Sequence, residues 1–159
     1  MKKLILSLLV AAFVGGNTLS AQTITKNEDG KYSLSVGHVT LTVDAQKGGK
    51  IVSYRYDDKE ILSQTKIPNS FGSTFWTSPQ SEWNWPPVPE YDTKPFNAEV
   101  AGDKLILTGE KSKRFGYRVR KELTTDKKDN AIVITYTIIN ERISSPPLFL
   151  TPQALPQIS

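Results

Sequence analysis

From Tyr32 onward the chain alternates apolar and polar residues with a period of two, not 3.6. Tyr32, Leu34 and Val36 alternate with Ser33 and Ser35, and Val39, Leu41 and Val43 with Thr40 and Thr42. Both runs predict half-buried strands joined at Gly37. Lys47-Gly48-Gly49 is a tight break before a strand over 51–56, and Asp57-Asp58-Lys59 predicts a hairpin turn into Glu60-Ile61-Leu62. Strand pattern resumes at Glu99-Val100 and Leu105-Ile106-Leu107, around the turn Ala101-Gly102-Asp103. Phe115, Tyr117, Val119 and Leu123 then share one face, opposite Arg118, Arg120 and Glu122. Past a polar turn over 126–130, Ile132, Ile134, Tyr136 and Ile138 alternate with Val133, Thr135, Thr137 and Ile139. Many short strands, frequent turns and no helical period predict an all-β protein, an antiparallel β-sandwich.

Between these two groups of strands, residues 63–97 break the pattern. Pro68, Pro79, Pro86, Pro87, Pro89 and Pro95 argue against a central strand or a helix. The same stretch holds Phe71, Phe75, Trp76, Trp83, Trp85, Tyr91 and Phe96, with all three tryptophans of the chain. A loop so rich in aromatics is expected to fold over something.

The two ends change the domain picture. Lys2 and Lys3 precede an apolar run over 4–14, then Gly15-Gly16-Asn17 and the small residues of Leu19-Ser20-Ala21. This is the pattern of a secretory signal peptide over residues 1–21, cleaved after Ala21, and the run is too short to span a bilayer. The expected location is periplasmic or secreted. Removing Lys2 and Lys3 lowers the net charge from +4 to +2, and no Lys/Arg cluster forms a stripe, so nucleic acid is not an expected partner. With no cysteine, the domain over 22–142 must be held by core burial rather than disulfides. No later stretch is apolar enough to cross a membrane. Residues 143–159 carry no charge and hold Pro146, Pro147, Pro152 and Pro156. They read either as a disordered tail or as out-of-frame sequence from a truncated gene.

The stretch from Leu41 through Asp44, Gly48-Gly49, Ile51 and Tyr54, with the hairpin Asp57-Asp58-Lys59-Glu60-Ile61-Leu62, resembles the opening of galactose-mutarotase-like proteins. Phe71 through Pro79-Gln80-Ser81-Glu82-Trp83 to Pro87 is similar to the signature of an uncharacterised, domain-of-unknown-function branch of that superfamily. Lys121-Glu122-Leu123 and the run over 136–140 fall where the superfamily places strands. The resemblance covers about Tyr32 to Asn140. It implies an incomplete galactose-mutarotase-like supersandwich, the N-terminal half of the family fold, with a carbohydrate-facing groove. In the sugar epimerases of the superfamily a histidine pair and a glutamate transfer protons. His38, the only histidine, matches neither, so the catalytic residues stay unknown.

Sugars present flat C–H patches rimmed by hydroxyls, and a site for them combines aromatic faces with amides and carboxylates. Trp76, Gln80, Glu82, Trp83, Asn84, Trp85 and Tyr91 supply that combination and are the expected ligand-binding residues. Glu82 beside Trp83, with Glu90 or Asp92, is the weaker candidate for a glycosidase carboxylate pair. No cofactor and no metal site is expected: one histidine excludes a multi-histidine zinc site, and no loop has EF-hand spacing. Lys111, Lys113 and Arg114 read as a solvated turn. Arg118 and Arg120, on one strand face, read as surface ion pairs or as holders of a carboxylate. The expected function is exported carbohydrate binding without a recognisable catalytic set. The alternatives are an aldose epimerase or a truncated, inactive product.

Overall fold

A computed structural model describes residues 23–64 and 71–142; the expected leader and the uncharged tail lie outside the described residues. Among the described residues nine strands form two antiparallel sheets. The first contains β1 (Ile24–Lys26), β2 (Tyr32–Val36), β3 (Val39–Asp44), β4 (Lys50–Tyr56) and β5 (Lys59–Glu60), in that order. The second contains β6 (Asn97–Ala101), β7 (Lys104–Thr108), β8 (Tyr117–Asp126) and β9 (Ala131–Asn140). Each is an up-and-down meander, so neighbours in sequence are neighbours in the sheet.

Local chemistry explains the tight corners. Val36 pairs with Val39, Tyr56 with Lys59, and Ala101 with Lys104, leaving two-residue loops. The first residue of each loop, Gly37, Asp57 and Gly102, has φ of 54°, 50° and 62°. Primed hairpin turns require such values, and glycine and aspartate tolerate them. The short β1, paired with β2 through Ile24 and Leu34, lacked a readable period because three residues show too little alternation.

The alternation expected for β2, β3 and β8 is the alternation of burial. Leu34, Leu41 and Val43 from the first sheet meet Leu105, Leu107, Val119 and Leu123 from the second in one apolar cluster. β2 and β3 lie against β8 and β9, so the two layers share a core. Trp83, Val88, Tyr91 and Phe96 of the intervening segment close that core. The segment forms one 3₁₀ turn, Gln80–Glu82, and one helical turn, α1 (Pro89–Asp92). The proline density had argued against a helix here. α1 is tolerated because Pro89 stands at its first position, where no intrahelical N–H is needed.

Among the described residues β9 has one free edge. Along its inward face Ile132 and Ile134 are half-buried, whereas Tyr136 and Ile138 are 39% and 52% exposed. The second sheet therefore runs on past the cover of the first. Among the described residues no helix is long and apolar enough to cross a membrane.

Candidate functional site

The uncovered end of β8 and β9 forms one wall of a groove, and the aromatic segment forms the other. Phe75, Trp76, Thr77, Ser78 and Glu82 face Phe115, Tyr117 and Ile138 across about 560 Å³. Phe75 stacks on Tyr136 with centroids 5.1 Å apart and planes 9° from parallel, which ties the segment to β9. Trp76 makes edge contacts with Trp83 at 6.0 Å and with Trp85 at 5.9 Å. Trp76 and Trp85 are 47% and 62% exposed, so this cluster presents indole surface to solvent.

Of the seven residues expected to bind ligand, Trp76 and Glu82 line the groove, and Trp85 stands against Trp76. Gln80 and Asn84 are exposed on the same loop, outside the lining. Trp83 and Tyr91 belong to the core. Trp83 is buried and donates its Nε1–H to the Thr77 carbonyl at 2.9 Å. Tyr91 is buried, its phenol pushed above the usual range chiefly by burial. Phe115, Tyr117 and Ile138 were not foreseen as lining residues. Their parity marks them only as inward-facing, and no local signal says where the opposite sheet stops.

The carboxylates near the groove are not equivalent. Glu82 is exposed, Glu90 receives the Lys94 ammonium at 2.9 Å, and Asp92 is buried. Asp92 accepts from Lys50 Nζ at 3.2 Å and from Trp76 Nε1 at 3.3 Å. A glycosidase pair built on Glu82 would therefore take its second carboxylate from an existing ion pair. His38 sits in the β2–β3 turn, stacked on Tyr56 and bonded to Asp57 at 2.6 Å. Gly37 beside it abuts Asn130, at the end of β9 remote from Ile138. Eight residues of strand, roughly 26 Å, separate those two ends. Arg118 and Arg120 pair with Glu141 and Glu122, as surface ion pairs.

Beneath the aromatic wall lies a buried charge cluster, of which parity alone would have placed only Lys121. Lys121 lies between Val119 and Leu123 on the inward face of β8, and only 2% of it is exposed. Its ammonium donates to the carbonyls of Gly48 at 2.8 Å and Gly49 at 3.1 Å. It also lies 5.0 Å from the Phe96 ring and 5.6 Å from the Tyr136 ring. Burial pushes its pKa down to about 8, Lys50 adds to that, and Asp92 opposes it. The folded chain thus holds this proton less tightly than the unfolded one, whose lysine titrates near 10.5. Unfolding takes up a proton between those values, so stability rises with pH across that window. Tyr91 and Tyr136, both raised by burial, act in the opposite sense above pH 10. The expected gain from pH 8 to pH 10 is about 2 to 3 kcal/mol in urea unfolding. Lys121→Met should flatten that rise; a variant with the same slope would show that another group causes it.

Fold and site together define an all-β, two-sheet protein with a partly open aromatic groove at one end. No protein-family model, no curated protein and no solved structure matches the chain.

Proposed function

We propose that the protein is an exported carbohydrate-binding protein of galactose-mutarotase-like architecture, and that the groove beside Trp76 receives the sugar. The observation that carries this reading is the exposed indole pair Trp76 and Trp85 at the mouth of a groove. Exposed tryptophans are costly to leave in water, and their faces match the C–H patches of a pyranose. Ser78, Thr77 and Glu82 add polar groups for hydroxyls along the same lining. The epimerase alternative has less support. It needs a histidine and a glutamate across one groove, and His38 lies in the β2–β3 turn, at the opposite end of the two sheets.

Trp85→Ala removes an exposed ring without opening the core. It is expected to weaken glycan binding by roughly threefold to tenfold, from the typical worth of one aromatic contact, while the melting temperature stays within a few degrees. Calorimetric titration against glycans selected on an array measures this. Binding by the parent chain that is indifferent to both Trp85→Ala and Trp76→Phe would remove the groove from the proposal. Purified protein is expected to leave galactose and glucose mutarotation at the buffer rate. Acceleration of either sugar would restore the epimerase reading.

A further inference from the structure

We propose that the groove is built for an acidic saccharide, with the ligand's anionic group held at Arg114 and Arg142. This rests on the carbohydrate reading above and names the substrate class. The chain has five arginines. Arg55, Arg118 and Arg120 each face a carboxylate, Asp58, Glu141 and Glu122 respectively. Among the described residues, Arg114 and Arg142 form no ion pair.

Both are nonetheless held in place. The Arg114 guanidinium lies 4.9 Å from the centroid of Phe115 and donates to the backbone carbonyls of Trp83, at 3.3 Å, and Glu82. The Arg142 guanidinium lies 4.6 Å from the centroid of Tyr117 and donates through Nε to the Phe115 carbonyl at 2.7 Å. Phe115 and Tyr117 are neighbouring rings of the groove wall. Two exposed cations thus stack on rings of the wall the sugar would touch, at the border of the groove rather than in its lining. Carbonyls and ring faces orient them without neutralising their charge.

Guanidinium suits this role. It is planar, stays charged, stacks on rings and offers a fork of donors that fits the oxygens of a carboxylate or a sulfate. The bonds named above leave Arg142 both terminal nitrogens, and they leave Arg114 its Nε. Glu82 is the one carboxylate in the lining. It repels an anion at its own position and accepts hydroxyl protons there. The acidic group is accordingly directed to the arginine wall and the neutral ring to Trp76.

The test is titration of the full-length protein with three probes of equal length: oligogalacturonate, a sulfated galacto-oligosaccharide and neutral galacto-oligosaccharide. One or both acidic probes should bind at least tenfold more tightly than the neutral one, and the excess should shrink as salt rises. Arg114→Gln and Arg142→Gln, each checked for an unchanged melting temperature, should each cost roughly tenfold on the acidic probe and leave the neutral one unaffected. The two acidic probes tell carboxylate from sulfate, and preference for either supports the proposal. Neutral binding as tight as acidic overturns it while leaving the carbohydrate reading standing. So does acidic binding that survives the double variant. Failure of all three probes, and of an array of other glycans, removes both.

Discussion

Asp92→Ala is expected to cost about 3 to 5 kcal/mol, a large part of the roughly 5 to 15 kcal/mol that keeps such a domain folded. Three ionisable side chains, Lys50, Asp92 and Lys121, are all at least 97% buried at this place. Asp92 is the only anion among them. Its removal strands the Lys50 ammonium, which then lacks both its 3.2 Å partner and water. It also leaves the Trp76 indole N–H without its acceptor. Breaking a buried pair from one side costs far more than the pair contributes, because an uncompensated charge remains. Asp92→Asn keeps the shape and an acceptor but lacks the charge, and should still lose most of that amount. Replacing Lys50 and Asp92 together by methionine and leucine should recover much of it. Urea titrations followed by tryptophan fluorescence measure all three. If Asp92→Asn melts within a degree or two of the parent, the charge has no such role.

The second large effect belongs to Gly48. A Cβ there would sit 1.9 Å from the Asp92 carbonyl oxygen and 2.4 Å from its carbon, both backbone atoms. The residue also has φ of 66°, a left-handed conformation that costs an L side chain about 1 to 2 kcal/mol. Neither the backbone of α1 nor the turn can yield without moving the Lys50–Asp92 pair. Gly48→Ala is therefore expected to cost 3 kcal/mol or more, on the order of the largest single-residue losses. Gly102 provides the control. Its φ is 62°, but no atom lies within 4 Å of its Cβ position. Gly102→Ala should lose only the conformational part, about 1 kcal/mol. The difference between the two variants isolates the contact with α1. Equal losses would mean that the approach of α1 to the turn is not tight.

Much of the fold could be read from the chain, for a definite reason. Period-two alternation and glycine or aspartate at corners are local signals, and meanders are built from local pairings. The strands β2, β3, β4 and β6 through β9 were legible on that ground. The groove was legible only in its loop half. In an irregular segment parity carries no information, so Trp83 and Trp85 read alike, although one closes the core and the other faces solvent. Lys121 illustrates the opposite limit. Its parity places it inward with Val119 and Leu123, but its acceptors come from Gly48 and Gly49, more than seventy residues earlier in the chain. No local pattern reports a partner at that distance. The same holds for Arg114. Its neighbours Lys111 and Lys113 suggest a solvated turn, and only the fold sets its guanidinium against Phe115, a ring of the groove wall.

The meander order also governs how the chain meets its own interior during synthesis. The first sheet can zip as soon as Glu60 is made, since its partners are already adjacent. Its apolar face then waits for β8, which ends at Asp126. At ribosomal rates of about 5 to 20 residues per second, that delay lasts roughly 3 to 13 s. Throughout it Leu34, Leu41 and Val43 have no opposing layer. Escape from misassociation thus depends on how long the nascent first sheet stays bare as well as on the stability of the finished molecule.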